Sequence, residues 1–268
     1  MAVIPLAVVD AFTASPFAGN PAAVCLLDGP ADPGWMQRVA AEMRHSETAF
    51  VAPGSEAFGM RWFTPAVEVK LCGHATLAAA HVLWEDGRVD PGEAIGFDTA
   101  SGRLRATKVG QTVELDFPAR PAVECSRPPG LARALGTYPV WVGRSDEHDL
   151  LLELASPQEV RHLRPDFEGL AAVDARGLIV TSRVDDGEHD FVSRFFAPRL
   201  GVAEDPVTGS AHCTLGPYWS QRLGRTELLA FQASARGGEV AVRVEGDRVA
   251  IGGRACTVLR GELLAAAE

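Results

Sequence analysis

The chain has 268 residues, of which 47% are hydrophobic and 22% charged, so it is long enough to bury the core of one large or two medium globular domains. Its formal net charge of −10 disfavours nucleic acids and anionic membrane surfaces as partners, because both repel an acidic protein. Five widely separated cysteines without metal-ligand spacing predict neither a disulfide framework nor a zinc site, and no apolar run is long enough to cross a bilayer.

The first half of the chain is predicted to alternate strands with two helices. Apolar residues recur at helical spacing over residues 33–43, where Asp32 and Pro33 provide a cap and a first-turn proline. The Ala-rich and Leu-rich residues 73–84 form the strongest helix candidate of this half. Strands are predicted over residues 5–12, 22–27, 47–51, 58–63, 94–99, 104–109 and 112–117, with a turn over 17–21.

The second half begins after a proline-rich interruption over residues 117–121. The two predicted domains are therefore residues 1–118 and 119–268, and an alternative returns the C-terminal segment to the first domain. A short helix ends near Leu135, and a second strong helix covers residues 209–222. Strands are predicted over residues 139–142, 150–154, 177–181 and 191–196, and again from residue 227 to the end.

A long-range repeat relates the two halves. Residues 63–65 (Phe-Thr-Pro) are echoed by residues 196–198 (Phe-Ala-Pro), and residues 68–75 (EVKLCGHA) by residues 204–211 (EDPVTGSA). Each longer block holds its register without a gap and leads from an extended segment into a strong helix. Duplication explains this pattern better than chance, so we expect two similar halves with a ligand in the cleft between them.

Each strong helix opens on a glycine, as Gly73-His74 in the first half and Gly209-Ser210 in the second. Free backbone N–H groups and the positive end of the helix dipole favour an anion there, and glycine lets a ligand approach the backbone. A simpler interpretation is that each glycine only shapes a strand-to-helix turn. Because the repeat pairs the two helix starts, we expect both to hold substrate oxygens.

Glu47 lies between a polar turn and an apolar strand, in the segment Arg-His-Ser-Glu-Thr-Ala-Phe over residues 44–50. A carboxylate at this edge would be partly buried. Burial raises the pKa of a glutamate toward the range that a general acid or base needs. The alternative is a solvated glutamate at the end of a strand.

Two polar residues accompany the glycine-led helices. His74 is expected to bind the substrate or to stabilise a developing enolate, since a histidine at a helix start tends to stay neutral; the alternative is a helix cap. Asp205 is expected to orient His74 or Glu47 across the cleft, or else to cap the helix that follows. His212, inside that helix, is expected to be structural.

Cys72 is the competing nucleophile or base, because a thiol before a helix N-terminus can be reactive. A racemase with two thiols would need a second cysteine at the matching position, which is Thr208. Cys213 lies inside the predicted helix and is expected to pack in the core. Cys72 as an inert buried residue is therefore the favoured interpretation.

Distinctive short motifs occur in a fixed order along almost the whole chain. They are Asp10-Ala11-Phe12-Thr13 with Gly19-Asn20-Pro21-Ala22-Ala23-Val24, Ser46-Glu47-Thr48-Ala49-Phe50, Arg61-Trp62-Phe63-Thr64-Pro65, Leu71-Cys72-Gly73-His74-Ala75-Thr76, Glu204-Asp205-Pro206-Val207-Thr208-Gly209-Ser210-Ala211-His212-Cys213 and Pro217-Tyr218-Trp219. Together these motifs resemble the phenazine-biosynthesis PhzF-like isomerase family.

The resemblance implies an α+β, diaminopimelate epimerase-like fold in which two pseudo-symmetric halves each wrap strands around a central helix, usually in a homodimer. It also implies that a glutamate moves a proton without a cofactor, as in the isomerisation of dihydro-hydroxyanthranilic acid by the phenazine enzyme. The corresponding residues here are the proton carrier Glu47 and the substrate-contacting or polarising Gly73, His74, Asp205, Gly209 and Ser210.

Several departures limit what the resemblance implies about the substrate, and one of them is Arg44-His45 ahead of Ser46, which is unlike the phenazine enzyme. The turn after His74 reads Ala75-Thr76 instead of the phenazine enzyme's version, so the catalytic residues carry over more securely than the phenazine substrate. Thr208 replaces the second thiol of the related epimerases, so amino-acid epimerisation is disfavoured.

These observations predict an isomerase, without cofactor or metal, that acts on a small and unsaturated or cyclic carboxylic acid. The first residues lack the basic segment and cleavage site of a signal peptide, so the cytoplasm is the expected compartment. The expected catalytic residues are Glu47, His74 and Asp205, and the expected substrate-binding residues are Gly73, Gly209, Ser210, Cys72 and Thr208. Two alternatives stay open: a Cys72-based racemase or epimerase of an amino or hydroxy acid, and a small-molecule-binding protein without catalysis.

Overall fold

The structure is a computed structural model that describes residues 3–264. The chain divides into two compact units, one made of the residues up to Asp116 and from Gly252 onward, the other of Phe117–Ile251. The C-terminal segment is therefore part of the first unit. Among the described residues, no helix is long and apolar enough to cross a membrane.

The elements are numbered in chain order. The helices are α1 (Pro33–Met43), α2 (Gly73–Glu85), α3 (Leu131–Leu135), α4 (Pro157–His162), α5 (Phe167–Ala171) and α6 (Gly209–Leu223), with a 3₁₀ turn over Pro198–Leu200. The strands are β1 (Ile4–Ala11), β2 (Asn20–Leu26), β3 (Glu47–Ala52), β4 (Phe58–Phe63), β5 (Glu68–Val69), β6 (Ile95–Thr99), β7 (Gly102–Val109), β8 (Thr112–Pro118), β9 (Val123–Glu124), β10 (Trp141–Arg144), β11 (Leu150–Glu153), β12 (Leu178–Arg183), β13 (Phe191–Ala197), β14 (Val202–Asp205), β15 (Glu227–Gln232), β16 (Gly238–Glu245), β17 (Arg248–Gly253) and β18 (Ala255–Leu263).

The strong helices predicted from the sequence are confirmed as α1, α2 and α6. Asp32 caps α1 as predicted, since its carboxylate accepts a hydrogen bond from the Trp35 amide at 2.8 Å. The short helices α4 and α5 were not predicted from the sequence, although Ser156 and Asp166 cap them in the same way. These helices have six and five residues, too few to show an apolar period.

The two units pair their strands in the same order, which confirms the repeat. In the first unit β2 and β3 are parallel, β4 is antiparallel to β3 and to β5, and β4 then runs parallel to β6. In the second unit the corresponding strands β11, β12, β13, β14 and β15 pair in the same sequence and with the same directions. The terminal strand β18 adds to the first unit by antiparallel pairing with β1.

Each unit holds one long, largely buried helix among its strands. In α2 the small side chains of Ala78, Ala79 and Ala80 are fully buried, so the helix can pack closely on β1, β2 and β3. In α6, Trp219 is buried and its ring stacks on Phe191 at a centroid distance of 5.7 Å. This packing fixes the first turn of each helix relative to the strands of its own unit.

Each unit also carries an arginine–glutamate fork just before its central helix. Arg61 donates from Nε and Nη2 to the Glu68 carboxylate at 2.7 and 2.8 Å. Arg194 donates in the same way to Glu204, at 2.7 and 2.9 Å. The two forks therefore tie β4 to β5 and β13 to β14, the short strands that lead into α2 and α6.

Candidate functional site

Three elements of the first unit bring polar side chains together. β2 and β3 are parallel neighbours with Ala22 opposite Glu47, so Asn20 and Glu47 lie at the same edge of the sheet. The helix α2 begins next to this edge, with Cys72 as its extended N-cap residue and His74 in its first turn. We call Asn20, Ser46, Glu47, Cys72 and His74 the Glu47 cluster.

Glu47, His74 and Cys72 form the centre of the Glu47 cluster. The Glu47 carboxylate oxygen Oε2 lies 3.2 Å from His74 Nε2, and the Cys72 sulfur lies 3.4 Å from His74 Nδ1. The His74 side chain is 6% exposed and that of Glu47 is 19% exposed, so only the carboxylate has appreciable contact with solvent. The structure thus brings together three of the residues that the sequence singled out.

Asn20 and Ser46 form the outer part of the cluster. The Asn20 amide nitrogen lies 3.3 Å from His74 Nδ1, and its amide oxygen accepts a hydrogen bond from the Ser46 hydroxyl at 3.2 Å. With the amide in this orientation, Nδ1 accepts and the ring proton resides on Nε2, which faces Glu47. Asn20 is fully buried, so this network holds the His74 ring in place.

Burial raises the pKa of the Glu47 carboxyl above its ordinary value. Hydrogen bonds from the Ser46 hydroxyl and the Cys72 thiol stabilise the carboxylate and lower its pKa in part, but the effect of burial is larger. This direction is the one predicted from the sequence. A raised pKa makes the carboxyl group a stronger base when it is ionised, which favours proton uptake from a substrate.

The turn before β2 places Asn20 in the cluster. Gly19 has a φ of +64°, and a Cβ atom there would lie 2.1 Å from the Ala11 carbonyl oxygen. Only glycine fits this close approach and this left-handed conformation. The buried carboxylate of Asp10 accepts a hydrogen bond from the Phe17 amide at 2.7 Å and so closes the same turn.

In the second unit, Asp205, Thr208 and Gln232 form a closed network that we call the Asp205 turn. The Thr208 hydroxyl donates to the Asp205 carboxylate, and the Thr208 amide donates to Gln232 Oε1 at 2.9 Å. The Gln232 amide donates to the Asp205 carbonyl oxygen at 2.8 Å. Gln232 is fully buried at the end of β15, so it braces the turn from which α6 starts.

The residue that caps α6 differs from one of the alternatives that the sequence left open. Asp205 was one candidate for the helix cap, but the N-cap residue is Thr208, and it makes no side-chain capping hydrogen bond. Gly209 is buried and Ser210 is partly exposed in the first turn. That Asp205, Thr208, Gly209 and Ser210 act on a substrate stays a prediction.

Cys213 is not a second reactive thiol. It is buried, its thiol donates to the Gly209 carbonyl oxygen at 3.7 Å, and burial raises its pKa to about 12. The predicted packing role of Cys213 is therefore confirmed, because a thiol with this pKa is protonated at neutral pH.

His212 is a structural residue with an unusual buried nitrogen. Its Nδ1–H donates to the Thr208 carbonyl oxygen at 2.8 Å, while Nε2 is buried without a hydrogen-bond partner. Burial lowers the pKa of His212 from 6.5 to about 4, because a charged ring could not be solvated there. Its predicted structural role is confirmed.

We expect His212 to make the protein acid-sensitive. The pKa is lower in the folded than in the unfolded state, so between pH 6.5 and 4 the unfolded chain binds the extra proton. Stability is therefore lost as the pH falls through this window, by up to about 3 kcal/mol. Urea unfolding at pH 7 and pH 4.5 measures this loss, and His212→Asn should reduce it. The exposed His148 provides the control: if His148→Asn reduces the loss as much as His212→Asn, His212 is not its source.

Three residues of these networks were missed as functional candidates. Both Asn20, which follows the turn residue Gly19, and Ser46, which precedes Glu47, lie within the family-like motifs. Their positions in these motifs could therefore have identified them. Gln232 carries no such signal, because its contact with Thr208 joins residues that are far apart in the chain. Only the fold reveals that it supports the start of α6.

Comparison with known proteins agrees with this architecture. The profile of a family described as phenazine biosynthesis-like protein matches residues 9–261. An uncharacterized isomerase of Halalkalibacterium halodurans is 52% identical over 265 residues, which cover 98% of this chain and 100% of that protein. The crystal structure of a PhzF family phenazine biosynthesis protein from Enterococcus faecalis has a TM-score of 0.94 at 42% identity and covers 98% of this chain and 100% of its own.

A more distant likeness concerns the fold alone. A hydroxyproline epimerase from Agrobacterium vitis has a TM-score of 0.64 at 13% identity, covering 97% of this chain and 92% of that chain. The predicted α+β, epimerase-like fold with two similar halves around central helices is thereby confirmed. The match over residues 9–261 and the identity to near full-length relatives lead to one conclusion: the chain belongs to the PhzC-PhzF family of phenazine biosynthesis-like proteins.

Proposed function

We propose that this protein is a cofactor-independent isomerase in which Glu47 moves a proton on a small carboxylic acid. The isomerase names of its close relatives support the reaction class. The observation that carries the mechanism is the largely buried Glu47 carboxyl group, whose pKa is raised and whose oxygen lies 3.2 Å from His74 Nε2. A group that only binds a ligand does not need this tuning.

In this proposal Glu47 takes a proton from a carbon atom next to a carbonyl or carboxyl group and returns it to another position. His74 Nε2–H donates a hydrogen bond, either to Glu47 or to the developing enolate oxygen. Backbone N–H groups in the first turn of α2, which opens on Gly73, stabilise negative charge on the substrate. The proton balance is closed, since the proton that leaves one carbon is the one delivered to the other.

The family resemblance extends the proposal to the second unit and to assembly. Asp205, Gly209 and Ser210 are proposed to bind substrate oxygens, and the protein is proposed to be a homodimer. The Asp205 turn supports the first part, because Gln232 and Thr208 hold Asp205 rigidly. Light scattering coupled to gel filtration tests whether the protein is a homodimer.

A Cys72-based racemase is the alternative with a specific observation in its favour, the position of the Cys72 thiol 3.4 Å from His74 Nδ1. The second unit weakens this alternative. Thr208 occupies the position of the second thiol, and its hydroxyl is bonded to Asp205. Cys213 is protonated and buried.

We expect Cys72→Ser to keep proton-exchange activity within about tenfold of the wild type, because serine retains a hydrogen-bond donor to Glu47. The measurement is the rate of solvent deuterium uptake into a bound ligand. Cys256→Ser, which alters a partly exposed cysteine of the same unit, serves as the matched control. Complete loss of exchange in Cys72→Ser alone would favour the racemase.

A suitable ligand can be found by a thermal-shift screen with small cyclic carboxylic acids, including anthranilate analogues. A ligand that binds only the folded protein raises its melting temperature. The proposal is wrong if such ligands bind tightly but none exchanges hydrogen with the solvent, since the protein would then be a binding protein.

A further inference from the structure

We propose that the Glu47 cluster is also a zinc-binding site, in which Cys72, His74 and Glu47 hold the ion and thereby stop proton transfer. Within residues 3–264 these residues are the only group of three or more His, Cys, Asp and Glu whose possible ligand atoms all lie within 4.8 Å of one another. The binding part of this proposal is independent of the proposed function, whereas the inhibition rests on it.

The distances between the ligand atoms are close to those of a tetrahedral zinc site. Zn–N and Zn–O bonds of about 2.0 to 2.2 Å and a Zn–S bond of about 2.3 Å require ligand atoms roughly 3.3 to 3.6 Å apart. The Glu47 oxygen lies 3.2 Å from His74 Nε2, and the Cys72 sulfur lies 4.0 Å from the same nitrogen. The Cys72 sulfur now lies nearer to His74 Nδ1, at 3.4 Å, so its side chain would have to turn toward the Nε2 side of the ring to complete the triangle.

The chemistry of the three ligands selects zinc over the common hard cations. A thiolate, an imidazole and a carboxylate form a mixed sulfur, nitrogen and oxygen set, which suits zinc, whereas magnesium and calcium require oxygen ligands. On binding, the Cys72 thiol loses its proton to the solvent. Three protein ligands leave the fourth position for a water molecule, as in catalytic zinc sites.

The surrounding residues supply the support that such a site needs. The buried amide of Asn20 lies 3.3 Å from His74 Nδ1, the nitrogen that would not bind the ion. Turning this amide over would let its oxygen accept the Nδ1–H, the usual outer contact of a zinc-bound histidine. The partly exposed Glu47 carboxylate provides the route of entry, since the other two ligands are buried.

Zinc binding would inhibit the proposed reaction directly. A Glu47 carboxylate that coordinates an ion cannot take up a proton, and His74 Nε2 loses the proton that it would donate. The substrate carboxylate would then meet a metal ion where the proton carrier should be. The inhibition is expected to be reversible, because a chelator can compete for the ion from the partly exposed Glu47 side of the site.

The test is a titration of the full-length protein with zinc chloride by calorimetry, together with cobalt chloride as a spectroscopic probe. We expect one ion per chain and a thiolate-to-cobalt absorption band. Cys72→Ser and His74→Gln should each weaken zinc binding by at least about tenfold, since even loss of an outer contact has an effect of this size. Asn20→Ala should weaken zinc binding by about tenfold, because it removes the outer contact of the zinc-bound His74.

Two variants control for zinc bound elsewhere. Cys256→Ser removes a partly exposed thiol of the same unit, and His81→Gln removes a histidine that lies 3.4 Å from Glu85 on the surface of α2. Both should bind zinc like the wild type, and circular dichroism verifies that every variant is folded. Equal binding by wild type and His74→Gln, or a cobalt complex without the thiolate band, would overturn the proposed site.

The metal site and the proposed function can fail separately. Deuterium exchange is measured in the presence of a chelator, and zinc binding is measured without any ligand. Exchange that depends on Glu47 without stoichiometric zinc binding overturns the metal site only. Zinc binding at Cys72 and His74 without such exchange overturns the proposed function and leaves the metal site in place.

Discussion

Glu47→Gln is expected to lower the isomerisation rate about 10²- to 10⁴-fold, the usual contribution of a general acid or base. Glutamine keeps the size of the side chain and its contact with His74, 3.2 Å away in the wild type, but it cannot carry a proton. The measurement is kcat with the ligand identified by thermal shift. Binding of that ligand should change much less, because the glutamine still fills the same space.

Two further measurements make the Glu47 result specific. Glu56→Gln alters an exposed glutamate of the same unit and should leave kcat unchanged. Because burial raises the pKa of Glu47, the rate of a step in which Glu47 acts as the base should rise with pH through a midpoint above the usual value for glutamate. A rate that Glu47→Gln lowers less than tenfold would exclude Glu47 as the proton carrier.

Arg194→Met is expected to destabilise the second unit by about 3 kcal/mol. The Arg194 side chain is 7% exposed, and its removal leaves the Glu204 carboxylate, 20% exposed, without its partner. The Leu163 carbonyl oxygen also loses the hydrogen bond that it accepts from Arg194 at 2.7 Å. Urea unfolding monitored by the fluorescence of the buried Trp219 measures the change.

The repeat supplies the matched control for this prediction. Arg61 makes the same fork with Glu68, but these side chains are 36% and 37% exposed. Water can solvate both charges there, so Arg61→Met should cost less than about 1 kcal/mol. Equal losses for the two variants would mean that burial does not set the strength of these forks.

The sequence predicted the fold well because the apolar periods of the helices and the repeated blocks can both be recognised without knowledge of the tertiary contacts. The helix α2 follows from an Ala-rich and Leu-rich stretch, and α2 and α6 begin at the predicted glycines, Gly73 and Gly209. The two-residue strands β5 and β9 were missed, since two residues show no alternation.

Only part of the site could be predicted, because motifs identify residues but not the contacts that the fold creates between them. Motif position singled out Glu47, His74 and Cys72, which the fold brings together although Glu47 lies on β3 and the others at the start of α2. The sequence could not predict that Cys72 contacts both Glu47 and His74, because these contacts depend on how α2 packs on β2 and β3. The bracing of Thr208 by Gln232 likewise requires the parallel pairing of β13 with β15.

The most direct test of the account is solvent deuterium exchange into a bound cyclic carboxylic acid, followed by mass spectrometry in wild type and in Glu47→Gln. We expect both proteins to bind the acid and deuterium to enter it only in the wild type. This result would establish proton transfer by Glu47 and identify the substrate class. Equal deuterium uptake in both proteins would contradict the account, because the proton would then be carried by another group.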